Sequence, residues 1–260
     1  MKISVSSLYF KPLTSPDLKY LSSIGVKAIE LVIYHQFETY EISDKMINFK
    51  KDLKQNNLEI SGIQGFTFKP NLDLKNEFFS FSDIWIKHLN KLKSCAIFFQ
   101  TNKLVFGAPS FRSNINEKEK FEIYFKKTLD FFKLYEIDLL LEAVPKLYGA
   151  NFLNKLKPVF EFNKIHSLMN HFDTGCYLNE SKNSSRYYPI INSKINHLHL
   201  SSTSLGLISK DEKLLKWLNY FGLPKADDNF IVLESTLKFI NLSDIKCDID
   251  YLNKIITNET

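Results

Sequence analysis

The sequence predicts a closed (β/α)8 barrel, and three observations lead there. Eight short runs rich in β-branched and aromatic residues recur along the chain, and longer segments of helical period lie between them. Alternation of that kind implies parallel strands joined by crossover helices. The 260 residues show no break in composition and no linker, so a single α/β domain over residues 1–260 is expected. Closure into a barrel is the economical arrangement at this length. The rival is an open doubly wound sheet, whose dinucleotide-binding version carries a glycine-rich phosphate turn after its first strand. None stands there.

The strand-like runs are KISVSSL (2–8), VKAIELVI (26–33), LEISGIQGF (58–66), KLVFGA (103–108), IDLLLEAV (137–144), MNHFDT (169–174), INHLHLS (195–201) and FIVLES (230–235). After the first run, SPDLKYLSSIG has Ser15 as N-cap, Pro16 at the first helical position and Gly25 past the end. After the fourth, NEKEKFEIYFKKTLDFFKLY brings Phe121, Tyr124, Phe125, Leu129 and Phe132 onto one helical face.

Composition narrows the class. With 44% hydrophobic and 24% charged residues, the chain is an ordinary globular protein rather than a disordered one. The net charge of +5 is spread thinly, over Lys50, Lys51 and Lys54 in one helix and Lys126 and Lys127 in another. That hints at anionic ligands and supplies no case for nucleic acid. Cys95, Cys176 and Cys247 are far apart with no CxxC spacing, which argues for a reducing compartment. The N-terminal MKISVSSLYFKP reads as a first strand rather than a signal peptide, and no run reaches membrane-span length. A cytoplasmic protein with no membrane partner is expected; a homo-oligomer stays open.

In a barrel of this type, function sits at the carboxyl ends of the strands. The fifth run ends near Glu142, the sixth at Asp173, the seventh at His199 and the eighth at Glu234. Three carboxylates and an imidazole, each separated by about one βα unit, would make a hard-to-borderline site for one divalent ion: Mn²⁺, Mg²⁺, Co²⁺ or Zn²⁺. Taken singly, each acid is more often solvated or ion-paired and each histidine more often structural. Alternation also puts His197 and His199 on one face, so either could be the inward residue.

At these residues the sequence resembles the xylose isomerase-like TIM barrel superfamily, which includes sugar-phosphate isomerases and epimerases, inosose dehydratases and endonuclease IV. LSSIGVKAIELV is similar to that family's first helix and second strand, LLLEAVP to its strand-five glutamate motif, and HFDTG to its strand-six aspartate motif. HLHLSS is similar to its strand-seven histidine motif and VLES to its final glutamate. LVFGAPSFR and EAVPKLYGANFLN look like an uncharacterised branch of sugar phosphate isomerase/epimerase-type proteins. The resemblance implies one metal held by Glu142, Asp173, His199 and Glu234, with Glu142 and Glu234 also moving the substrate proton. It departs where Cys176 replaces a frequent histidine, Ser202 an aspartate, Leu205 an arginine and Tyr148 a second acid. Endonuclease IV needs further histidines, and His35, His88 and His166 lie outside its motifs.

The implied chemistry is isomerisation or epimerisation of a sugar, keto-sugar or sugar phosphate through a metal-stabilised enediolate. Dehydration of a polyol or keto-sugar is the alternative, followed by a phosphodiesterase and a non-catalytic sugar-binding barrel. Arg112, His197, Tyr148 and Cys176 are the candidate substrate contacts. Arg112 would hold a phosphate or carboxylate through its bidentate fork, a salt bridge to a helix being the other reading. Cys176 is expected at the pocket edge and not as a nucleophile. Tyr9, Phe10, Tyr34, Phe66, Phe68 and Tyr148 would wall a sugar pocket or belong to the core.

Overall fold

The structure is a computed structural model that describes residues 1–67, 73–180, 194–235 and 242–258. All eight expected strands form: β1 (Lys2–Ser6), β2 (Ala28–Val32), β3 (Glu59–Gln64), β4 (Lys103–Phe106), β5 (Asp138–Leu141), β6 (His171–Asp173), β7 (His197–Ser201) and β8 (Phe230–Glu234). They join in one parallel sheet in the order β5-β4-β3-β2-β1-β8-β7-β6. A lone parallel bridge from Leu141 to Asn170 links the two ends and nearly closes the barrel. Helices follow the strands, and among the described residues none is long and apolar enough to cross a membrane.

The first helix, Ser15–Ser23, is capped one residue earlier than expected. Asp17 accepts from the backbone N–H of Thr14 at 2.8 Å and from its hydroxyl at 2.6 Å, so Thr14 rather than Ser15 is the cap. Gly25 follows the helix at φ +102°, a conformation that suits glycine. The helix Lys118–Lys133 buries Phe121, Phe125, Thr128, Leu129 and Phe132, with Tyr124 only partly covered.

Two layers of opposite character result. Between strands and helices lies an apolar layer in which Phe66, Phe78, Trp85, Phe106, Phe111 and Phe121 interlock, and the Trp85 indole N–H is satisfied by the Thr128 hydroxyl at 3.2 Å. Inside the barrel the residues are largely polar. Bonds that cross it between strands that are not neighbours identify the inward faces: Ser4 Oγ to Ser61 Oγ at 2.7 Å, and His197 Nε2 to Glu30 Oε1 at 2.6 Å. Period-two alternation then assigns Ser4 and Ser6 of β1, Glu30 of β2, His171 and Asp173 of β6, and His197, His199 and Ser201 of β7 to the interior. Barrel interiors are usually filled by Val, Ile and Leu. Here the hydrophobic contribution to stability has moved outward.

Phe106 is fully buried and faces Phe66, Phe111 and Phe125 at ring-centroid distances of 5.1, 5.8 and 5.4 Å. Phe106→Ala should lower the unfolding free energy by about 3–5 kcal/mol, read from urea melts. A loss under about 1 kcal/mol would show that the aromatic layer does not support the barrel.

Candidate metal centre and substrate cavity

Glu142 stands one residue past β5, Asp173 ends β6, His199 sits within β7 and Glu234 ends β8. The parallel strands bring the four to one mouth of the barrel, and one ligand atom from each lies within 4.8 Å of the others. His199 Nδ1 is 3.0 Å from Glu234 Oε2 and 3.9 Å from Glu142 Oε1. Asp173 is fixed by the Ser201 hydroxyl, which donates to Oδ2 at 2.7 Å, and by the backbone N–H of Cys176, which donates to Oδ1. Gly107, at the end of β4, clears space for Glu142: a Cβ there would stand 2.5 Å from Oε2.

Carboxylates crowded out of water resist ionising together. Burial, then the charge of Glu234, pushes the Glu142 carboxyl up to about 8. The same two causes raise Asp173 to about 6. Burial disfavours the charged form of His199, but Glu30 and Glu234 more than offset it and hold the imidazole well above its ordinary value. A cation among these oxygens would relieve the repulsion, and three carboxylates with one imidazole form a donor set suited to a hard or borderline divalent ion. The residues present fit such an ion.

Above the cluster opens a cavity of about 350 Å³ lined by Glu142, Asp173 and Glu234, with Phe66, Val144 and Leu205 among its apolar walls. Tyr148 and Cys176 line it too; Phe66 is the further aromatic from the proposed wall that does so. Tyr9 and Phe10 are core, Tyr34 packs against Tyr40, and Phe68 lies outside the described residues. His35 and His88 each bond a backbone carbonyl away from the cluster, and His166 packs tilted against Phe162.

Two expected substrate contacts are corrected. Arg112 is wholly buried in the turn Pro109–Arg112 and absent from the cavity wall. Its guanidinium donates to the backbone oxygens of Glu142 at 3.0 Å, Leu153 at 2.7 Å and Gly107. It forms neither an anion clamp nor a helix salt bridge, because both terminal nitrogens are turned to carbonyls, while the buried Nε–H has no partner among the described residues. His197 is fully buried, two residues before His199 on β7, and bonds Glu30 and Asp228 instead of facing the cavity. Among the described residues no Lys, Arg or His lines the cavity.

Two interior residues escaped sequence reasoning. Glu30 is wholly buried; burial alone would raise its carboxyl, but His199 and His197 hold it at about 2. His171 is also fully buried, neither ring nitrogen has a hydrogen-bond partner among the described residues, and its ring meets that of His199 edge-on at 4.2 Å. Burial, then the nearby His199 and His197, keeps it neutral. The available signals were an acid inside the apolar run AIELV and a histidine two residues before Asp173 on the same strand face.

No family model and no curated protein matches the chain. Solved structures do. D-psicose 3-epimerase from Clostridium cellulolyticum H10, solved with D-tagatose, matches at TM-score 0.69 and 12% identity, over 98% of this chain and 99% of that one. The probable 3-DHS dehydratase AsbF from Bacillus anthracis matches at TM-score 0.66 and 17% identity, over 97% and 99%. A family 2 AP endonuclease from Brucella melitensis matches at TM-score 0.66 and 15% identity, over 94% and 96%. The likeness is one of fold, the xylose isomerase-like TIM barrel.

Two expectations follow. A carboxyl raised in the folded state stabilises the protein below its unfolded value, and that stabilisation is lost as pH rises through the folded value. Without divalent ions, the Tm should therefore fall between about pH 6.5, the ordinary value of histidine in an unfolded chain, and about 8, the folded value of Glu142. Added Mn²⁺ should raise it most at the upper end, because ligation needs deprotonated carboxylates. A Tm that rises with pH across this window without ions would contradict the crowded-carboxylate picture. Arg112→Met, in turn, should cost about 3–5 kcal/mol in urea melts, since it strips buried carbonyls of their donor. Stability within about 1 kcal/mol of the parent would show that the guanidinium is not structural.

Proposed function

We propose that this barrel is a divalent-metal-dependent isomerase or epimerase of a sugar or keto-sugar, with Glu142, Asp173, His199 and Glu234 as ligands and Glu142 and Glu234 as proton carriers. The observation that carries the reading is the division of labour within the cluster. Glu142, Asp173 and Glu234 face the cavity, while His199 stands behind them with no exposed surface. Support comes also from the fold, shared with an epimerase and a probable dehydratase.

When bound, the ion would polarise the carbonyl and neighbouring hydroxyl of the substrate and ease loss of the adjacent C–H proton. The protein's part is to orient the sugar and carry the proton. Glu142 and Glu234 come from β5 and β8, separated by the strands that bear Asp173 and His199. One carboxylate would take the proton from carbon; return by the other on the opposite face inverts that carbon, and return by the first to the next carbon isomerises the chain. Asp173, already holding two donors, serves as ligand only. Phe66, Val144, Pro145 and Leu205 would shield the reacting carbon from water, and Tyr148 offers a hydroxyl to the sugar. The Cys176 thiol is raised far above its ordinary value by burial and then by Asp173, so it supplies no thiolate nucleophile. With Arg112 withdrawn into the backbone and no cation on the described wall, a neutral sugar fits the cavity better than a phosphate ester.

The test is deuterium exchange from solvent at the carbon beside the carbonyl, run on keto-hexoses and keto-pentoses with saturating Mn²⁺. Glu142→Gln and Glu234→Gln should each keep the ion at reduced affinity and lose about 10²-fold or more in exchange, the scale of a lost general base. Parental exchange in both variants would rule out the glutamates as bases. Release of water with a dehydrated product would instead assign the site to a lyase.

A further inference from the structure

We propose that Glu30 is a positioning residue: from the centre of the barrel it holds a ring proton of His199 on Nε2, so that Nδ1 is the nitrogen left to take an ion between Glu142 and Glu234. The inference rests on reading that cluster as a metal centre.

The two imidazoles on β7 stand in a row of charged groups. Both ring nitrogens of His197 face carboxylate oxygens, Nε2 to Glu30 Oε1 at 2.6 Å and Nδ1 to Asp228 Oδ2 at 2.7 Å. A ring flanked by two acceptors donates from both nitrogens and is therefore an imidazolium. Lys103 Nζ lies 2.8 Å from the same Asp228 oxygen. Charges thus alternate through the barrel: Lys103 positive, Asp228 negative, His197 positive, Glu30 negative. One oxygen of Glu30 remains. Oε2 lies 2.8 Å from His199 Nε2, close in distance but off the line of a straight hydrogen bond, and has no other partner among the described residues.

That leftover acceptor decides the tautomer of His199. A carboxylate oxygen cannot face the lone pair of Nε2 at 2.8 Å without repulsion, so the proton belongs on Nε2. Nδ1 faces Glu234 Oε2 at 3.0 Å in hydrogen-bonding geometry, so, as with His197, the ion-free ring is doubly protonated. An entering ion would displace the Nδ1 proton while the Nε2 proton stays toward Glu30. His171 blocks the alternative of turning the ring away: its own ring lies against His199 at 84° with centroids 4.2 Å apart. The backbone is built for this arrangement. The β2–β3 register shifts between Ile29 and Glu30, so that Glu30 pairs with Gly62 and skips Ser61. A Cβ on Gly62 would stand 3.1 Å from Glu30 Oε1, tighter than ordinary contact.

The experiment uses two independent readouts on the full chain. Long-range ¹H–¹⁵N spectra of histidine-labelled protein report the His199 tautomer, and calorimetric titration reports the affinity for Zn²⁺ and Mn²⁺. The parent should carry both ring protons on His199 without an ion and keep only the Nε2 proton once Zn²⁺ is bound. In Glu30→Gln an amide N–H can turn toward Nε2 and drive the proton to Nδ1, where it opposes the ion. The variant should show that redistribution and bind either ion about 10–100-fold more weakly, the usual cost of losing such a partner. Affinity within twofold of the parent, or an unchanged tautomer, overturns the proposal. A Zn²⁺-bound parent whose His199 carries its proton on Nδ1 and is ligated through Nε2 overturns it without any variant, which keeps the test decisive even if Glu30→Gln does not fold. A parent that binds no ion but holds the Nε2 proton only while Glu30 is present refutes the metal centre and leaves the positioning role standing.

Discussion

A carboxylate sealed from water at the middle of a barrel has to be neutralised where it stands, and Glu30 imposes that requirement on its surroundings. Three strands and a turn contribute to meeting it or to making room. β7 brings two imidazoles, β3 gives up a side chain at Gly62, β4 begins with Lys103, and the turn before β8 supplies Asp228. Removing one member of such a chain strands a charge, whereas the complete chain balances. The interior is therefore selective rather than merely filled. It also explains why the apolar core lies outside the strands: space inside is given to groups that must satisfy each other.

The cluster at the mouth has the opposite character. There the carboxylates outnumber their partners, and burial with mutual repulsion pushes Glu142 and Asp173 upward. Balance below and excess negative charge above meet at His199, whose two nitrogens face the two regions. On the proposed function this separation is useful, since a cation attracted by the upper cluster has no competing anion beneath it that lacks a partner.

The fold was legible because it rests on periodicity. All eight strands and the helices that follow them carry local signals, and only details such as the cap at Thr14 depend on geometry one residue finer than the pattern. The residues of the mouth were legible for a related reason, as each sits at a strand end where alternation and chain direction fix its place. Arg112 and His197 were misplaced because sequence gives neither depth along a strand nor the identity of a distant partner. The carbonyls that occupy Arg112 come from Gly107, Glu142 and Leu153, and the partner of His197 comes from across the barrel. Glu30 was hidden for the same reason: an acid in an apolar strand has meaning only once β2 and β7 are known to face each other.

The guanidinium of Arg112 also bears on how such a barrel can change. It ties the end of β4, the first residue after β5 and the loop at Leu153 into one rigid piece, and that piece carries the backbone of Glu142. Loop length or composition between 107 and 153 cannot drift freely without disturbing a cavity carboxylate. Diversification toward new ligands is thereby channelled to the connections after the other strands, so a library aimed at altered selectivity should spare this segment and vary those.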